Sequence, residues 1–258
     1  MTGVRESVAD MPVIVGAVPD EARPHLHTVG AFVGPARPRR SHSTQHRATG
    51  RPHLPYGEAV TSAEITVDGY LVEPLTRQTW PVFADLAERH NGVFGGCWCV
   101  WFHCHPDPPE RQEIGNRAFK QRMVEDGRAH AALVFDGDEA IAWAEYGTVD
   151  ELPNIRHRKE WEQTVEQVPD FRITCLFVDR RYRRTGLAEI AVQGALALIA
   201  ADGGGRVESY PHDLPPDEKI SSSFLYNATR TMYQRLGFSY ERPKGKVNCV
   251  MSMTVRPS

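Results

Sequence analysis

The sequence has no uninterrupted apolar run near the roughly 20 residues that a membrane-crossing helix needs. Its first residues also lack the basic, apolar and small-residue succession of a secretory signal. These two absences lead to the expectation of a soluble, cytoplasmic protein that does not engage a membrane. Cysteine is scarce: five in 258 residues, an odd number that makes no disulfide framework and suits a reducing compartment. An excess of either charge is missing too. Lys plus Arg number 30 and Asp plus Glu 33, for a formal net charge of -3, so no overall field draws the chain to nucleic acid. Any anion-binding site must therefore be local. No internal repeat is visible, so no repeat architecture is expected.

What is present suffices for one good core: 41% of residues are hydrophobic and 24% charged, the balance of a globular domain. Residues 1–63 stand apart. They are rich in Pro, Arg, His, Ala and Gly, as in GPARPRRSHSTQHRATGRPHLPYGEA, and carry neither helical nor strand periodicity. Such a segment cannot bury enough apolar surface to offset its ordering entropy, which predicts a disordered tail. Its stretch RPRRSHSTQHR has the look of a nucleic-acid or partner-binding arm, but the reading adopted is a solvated extension or a start codon placed too far upstream. A single domain is expected over residues 64–258.

Along that domain, TVDGYLVEPL reads as a strand. TWPVFADLAERHNG follows as a helix with Trp80, Phe83 and Ala87 inward, Thr79 as N-cap and Gly92 at the exit. PPERQEIGNRAFKQRMVEDG is a second helix, with Ile114, Ala118, Phe119 and Met123 inward and Gly127 as the stop. AALVF and AIAWAEY form a hairpin around Asp136, Gly137 and Asp138. TVDELPNIRHRKEWEQTVEQVPD reads as irregular. FRITCLFVD, nearly continuous in apolar residues, reads as a strand buried on both faces. A helix follows with Leu187, Ile190, Ala191, Gly194 and Leu198 on one face, ending in the glycines near Gly203. RVESYP is a strand, SSFLYNATRTMYQRLG a helix closed by Gly237, and FSYERP and KVNCVMSMTV the last two strands. The fold class is α/β (α+β), a mixed sheet of about seven strands with about four helices.

The chemistry concentrates in VDRRYRRTGLAEIAVQGALALIA. Four arginines between Arg180 and Arg184 and a glycine at Gly186 lie between the buried strand and the next helix. The first N–H groups of a helix lack intrahelical acceptors, the helix dipole places about half a positive charge there, and a glycine lets an anion approach the backbone. With arginines in the turn, the expected ligand is a multiply charged phosphate compound.

Arg183, Arg184, Thr185, Gly186, Leu187 and Ala188 match the pattern Gln/Arg-x-x-Gly-x-Gly/Ala. This resembles the pyrophosphate-binding signature of the GNAT superfamily of acyl-CoA N-acetyltransferases. The strand ahead of it agrees, as does MYQRLGF, which carries the family's Tyr-x-x-x-Gly-Phe ending as Tyr233, Gly237 and Phe238. The resemblance extends from Tyr70 onward, is topological before Asp170, and implies a mostly antiparallel sheet. It implies acetyl-CoA as co-substrate, no metal, and direct transfer of the acetyl group to a primary amine of a small molecule, protein or peptide within a ternary complex. Backbone groups of Leu176, Phe177 and Val178 would pair with the pantetheine arm. Arg183, Arg184, Thr185, Gly186, Leu187 and Ala188 would hold the pyrophosphate, and Tyr233 would sit beside the thioester sulfur. Pairing through the last strands into a homodimer is a further implication of the resemblance. The sequence departs from the family pattern at one point: where an Asn commonly precedes the tyrosine by seven residues it has Tyr226, and Asn227, one position on, would be turned by about 100° on a helix.

An amine of reference pKa about 10.4 attacks only as the free base, so a group must take its proton. Glu208 is the first candidate, followed by Glu145 and His212. A tyrosine hydroxyl can protonate the leaving thiol, which assigns Tyr233 a catalytic role. CWCVWFHCH, from Cys97 to His105, offers thiolate and imidazole ligands, but one tight cluster is not the paired spacing of a structural zinc site. It reads as an apolar wall with small buried thiols lining the acceptor pocket. The alternative to an enzyme is a catalytically inactive acyl-CoA-binding sensor or partner-binding module; a metal-binding or nucleic-acid-binding protein is a third reading.

Overall fold

The computed structural model describes residues 65–215 and 225–258; the tail expected over residues 1–63 lies outside them. The chain opens with β1 (Ile65–Val67) and β2 (Tyr70–Pro74), then α1 (Trp80–Glu88), α2 (Pro109–Glu125), β3 (His130–Asp136), β4 (Glu139–Thr148), α3 (Arg158–Thr164) and β5 (Phe171–Val178). It continues with α4 (Leu187–Ala201), β6 (Gly205–Ser209), α5 (Arg230–Arg235), β7 (Ser239–Lys244) and β8 (Asn248–Val255). The eight strands form one sheet in the order β1-β2-β3-β4-β5-β6-β8-β7. Every neighbouring pair is antiparallel except β5 and β6, which run parallel. Parallel neighbours need a crossover, and α4 supplies it.

The expected mixed, mostly antiparallel sheet is present, and the counts of about seven strands and about four helices come out as eight and five among the described residues. TVDGYLVEPL is not one strand but a hairpin, because Asp68 and Gly69 both take left-handed φ, 49° and 85°, as a two-residue turn requires. The stretch read as irregular contains α3, whose Trp161 is buried. The helix expected in SSFLYNATRTMYQRLG is shorter. Its described part begins only at Arg230, where Thr229 is the N-cap and its side chain accepts from Met232 N–H. Asn227 therefore precedes the helix, and the helical rotation assigned to it does not apply; it is buried, with Nδ2 donating to Tyr210 O at 3.2 Å.

Two apolar clusters lie on the two faces of the sheet. One gathers α1, the cysteine-rich loop and α2 against Trp143, Cys175 and Phe177. The other packs α4 and α5 against Ala142, Ala144, Ile173 and Leu176. Helix α4 comes unusually close at Gly194, where a Cβ would stand 2.5 Å from Val72 Cγ1. On α2 the expected inward face is corrected: Ala118 is exposed and Lys120 is buried. Gly115, with φ 78° and ψ 163°, interrupts the helix and changes its phase.

Candidate active site

The site begins where two strands part. The parallel pairing of β5 with β6 spans only Phe171↔Val207 to Ile173↔Ser209, and β5 continues to Val178 alone. Asp179 N–H donates to Ile141 O at 2.8 Å. By strand alternation Phe177 therefore turns its main chain to β4, while Leu176 and Val178 turn theirs to the gap. Leu176 N–H meets Tyr226 O there at 2.7 Å. The Phe177 ring stacks on Trp143, with centroids 4.6 Å apart. Of the three residues expected to pair with a pantetheine arm, two present backbone groups to the gap.

Past Val178 the chain makes a single 3₁₀ turn over Arg180–Tyr182. The buried Asp179 carboxylate accepts from Arg181 N–H at 2.9 Å and from its guanidinium at 2.8 Å. Burial alone would raise this carboxyl, but the Arg181 bonds outweigh it and hold it far below the usual range. Arg181 also reaches Glu139 at 2.8 Å, and Tyr182 donates to Asp136 at 2.8 Å. These contacts fasten the turn, so Arg181 is a structural arginine. Thr185 spends its hydroxyl on Tyr182 O and does not line the cleft, unlike the other residues expected at the pyrophosphate.

Arg183, Arg184, Gly186, Leu187 and Ala188 border a cleft of about 700 Å³ together with Leu176, Phe177 and Val178. Gly186 is the N-cap of α4 with φ 90°, a conformation that strains any side-chain-bearing residue. A Cβ there would meet nothing within 4 Å, so the backbone angle and not crowding calls for glycine. The first N–H groups of a 15-residue helix open onto this space, and Arg183 and Arg184 are exposed beside it. The one carboxylate in the first turn, Glu189, is paired with Arg235 of α5, which reduces its repulsion of an incoming anion. A phosphate chain fits this end of the cleft.

Tyr233 lies on α5 behind the cleft wall, which its neighbour Met232 lines and Tyr233 itself does not. Its side chain is fully buried, edge-on to Phe238 with centroids 4.9 Å apart. Its hydroxyl has no hydrogen-bond partner. Burial pushes the phenol above its ordinary value, against the nearby Ser209 side chain, which lies outside hydrogen-bonding geometry, so the group remains a proton donor. An orphaned buried hydroxyl of this kind suits a ligand atom that arrives at the gap between β5 and β6.

Glu208 points to the opposite face of the sheet and is not a solvated strand residue. It is 0% exposed, and its Oε2 accepts from Trp161 Nε1 at 2.8 Å and from Tyr210 Oη at 3.0 Å. Arg172 Nε donates to Tyr210 Oη at 2.9 Å, and its guanidinium lies 4.4 Å over the Trp161 ring. Lys244 stands 4.5 Å over the Tyr210 ring and donates to Arg156 O. Burial and then Arg172 push the Lys244 amine down to about 7, against Glu160 and Glu208.

A second buried network holds Glu145. Its Oε1 accepts from Lys120 Nζ at 2.6 Å and its Oε2 from Thr174 Oγ1 at 2.9 Å. His103 Nδ1 lies 2.9 Å from Glu151 O and must donate there, while Nε2 lies 3.0 Å from Lys120 Nζ. Burial and Lys120 both lower the imidazole, so Nε2 accepts from Lys120 as neutral histidine. Burial would raise Glu145, but the Lys120 ammonium outweighs it and holds the carboxyl below its ordinary value. With both oxygens occupied and no solvent, Glu145 is a structural anchor rather than a free base. His212 belongs to the main-chain bridges with Thr229 and Asn248.

Sequence reasoning missed Arg172 and Lys120. Both signals were present: a cation inside an otherwise apolar strand, and a lysine adjacent in helical phase to Phe119, Met123 and Val124, each demand a buried partner. Among the described residues, no group of three or more His, Cys, Asp or Glu side chains is placed to hold a metal ion. No helix among them is long and apolar enough to cross a membrane.

Among solved structures, an acetyltransferase from Thermus thermophilus is similar at 16% identity, over 71% of this chain and 95% of its own, with a TM-score of 0.38. The ribosomal-protein-S18-alanine N-acetyltransferase from Escherichia coli is similar at 12% identity over 73% and 96%, with a TM-score of 0.38. An N-acetyltransferase from Staphylococcus aureus is similar at 10% over 72% and 99%, with a TM-score of 0.41. No curated protein matches the chain. Residues 91–215, which run from the cysteine-rich loop through the cleft to the end of β6 and just beyond, match the family model for the acetyltransferase (GNAT) family.

Proposed function

We propose that the protein transfers the acetyl group of acetyl-CoA to a primary amine by direct attack in a ternary complex. The observation that carries this reading is the cleft where Leu176 and Val178, facing the gap beside β5, lead directly to the left-handed Gly186 and the N-terminus of α4. One wall offers backbone groups to an extended arm, and the next offers N–H groups and two arginines to its phosphates. The co-substrate supplies the activated acyl group. Within this reading Tyr233 holds a proton for the departing thiol, a role that its buried, orphaned hydroxyl suits. Glu208 takes the amine's proton through the Tyr210 hydroxyl that bonds it, since the carboxylate itself is enclosed. The domain covers residues 64–258 and acts in the cytoplasm, without nucleic acid or membrane, alone or as a homodimer.

Calorimetry with acetyl-CoA tests the reading. Wild-type protein should bind in the micromolar range, and Arg183→Glu combined with Gly186→Asp should lose at least 100-fold, or about 2.7 kcal/mol. A folded wild type that does not bind would overturn the assignment. Binding without transfer to any of a broad set of amines would favour a sensor or partner-binding module.

A further inference from the structure

The cysteine-rich loop is not consumed by donor binding. It carries Cys97, Cys99 and Cys104, and folding brings Cys99 against Cys175 of β5, 76 positions away along the chain, with the two sulfur atoms 2.6 Å apart. We propose that Cys99 and Cys175 are a reversible redox couple, which two-electron oxidation closes into a disulfide joining the loop to β5.

The encounter is built into the fold. Trp98, one residue earlier, stacks on Trp80 with centroids 6.1 Å apart. Cys99 itself is held at φ 52°, and Val100 N–H donates back to Cys97 O at 3.0 Å. Cys175 sits in the β-ladder opposite Glu145, beside the register shift of β5 against β4. Both side chains are 1% exposed, so an oxidant reaches the pair only through local opening of the loop. A bonded pair stands at about 2.05 Å with Cα atoms within about 7 Å, a geometry that fixed neighbours of this kind reach with little movement. Among the described residues no second pair of cysteine sulfurs is in contact.

The oxidant is a small disulfide, RSSR, of the glutathione class. One cysteine, as thiolate, attacks RSSR; its sulfur–sulfur bond breaks, and the departing thiolate takes up the proton that the cysteine lost. The second cysteine then attacks the mixed disulfide and releases the other RSH. Each cysteine gives up one electron and one proton, and RSSR becomes two RSH. Burial and Cys99 push the Cys175 thiol well above its ordinary value, so closure is slow at neutral pH and quickens as pH rises. The disulfide ties the loop that carries Phe94, a wall of the cleft, to the strand whose Leu176 borders the same cleft. Redox state is thereby coupled to the cleft whatever the acceptor is.

The test uses the full chain. Wild-type protein is equilibrated in glutathione buffers from fully reduced to fully oxidised, quenched in acid, alkylated, digested and mapped by mass spectrometry. The expected result is a linked pair of peptides bearing Cys99 and Cys175, lighter by two hydrogens, that accumulates with oxidised glutathione and disappears on return to the reduced buffer. Cys104→Ser and Cys249→Ser should keep the link; Cys99→Ser should abolish it. Alkylation of all five cysteines across the whole series would overturn the proposal, as would a link made by Cys97 in place of Cys99. The wild-type map decides the matter even if a variant fails to fold.

Discussion

Tyr233 combines two properties that normally exclude each other: complete burial and a hydroxyl without a partner. Leaving a buried donor unsatisfied costs about 1–3 kcal/mol, so Tyr233→Phe should leave the protein at least as stable in urea unfolding. If the hydroxyl protonates the leaving thiol, the same variant should lower kcat by about 10²-fold or more with little change in acetyl-CoA affinity; unchanged turnover would remove Tyr233 from the mechanism. Lys244 ties the stability of the fold to pH. Its amine is pushed down to about 7 in the fold, against a reference near 10.4 in the unfolded chain. Between those values the unfolded state binds the extra proton, so its contribution to stability rises with pH across that window and is smallest below pH 7. The stability of wild type relative to Lys244→Met should therefore improve from pH 7 to pH 10, as read by thermal unfolding at each pH. A flat difference would mean that the amine is not desolvated as described. Glu145, locked by Lys120 and Thr174, should behave as an anchor. Glu145→Ala leaves the buried Lys120 without its counter-ion and should destabilise by about 3–5 kcal/mol.

At the scale of elements, α4 does two jobs at two glycines. Gly186 serves the cleft: its φ of 90° turns the chain so that the helix starts at the cleft wall. Gly194 serves packing: it lets the helix lie against β2 and β3, with Val72 and Ala132 where a side chain would stand. Gly194→Ala should cost about 1–3 kcal/mol through overpacking while leaving the acetyl-CoA dissociation constant within about twofold in the folded fraction. Gly186→Ala should cost only about 1–2 kcal/mol of stability and weaken binding more than Gly194→Ala does. Denaturation and calorimetry on the two variants separate the jobs, and equal effects on binding would contradict the division.

For the whole molecule, the parting of β5 from β6 organises everything else. Helix α4 lies on one face, the Glu208, Tyr210, Arg172 and Lys244 network lies on the other, and the cleft opens at the parting, with Phe94 from one face and Leu187 from the other among its walls. Salt should expose the ionic share of donor binding: wild-type affinity should fall as salt rises, with a shallower slope for Arg184→Glu.

Much of this was legible before folding. FRITCLFVD read as a doubly covered strand, the glycine after the arginines as the start of a helix, and the hairpin around Gly137 followed from turn chemistry. Local pattern determined these because dihedral preference and hydrophobic period act over a few residues. What tertiary structure alone decided was which groups are spent. Arg181 and Thr185 go to fastening the turn, Phe177 turns its backbone to β4, and Glu208 is enclosed by Trp161 of a helix that periodicity did not reveal. Cys99 meets Cys175 across 76 positions. Such pairings are set by strand register, by the direction in which a side chain leaves its element, and by which distant partner satisfies it once water is excluded, and no local stretch of sequence contains those quantities.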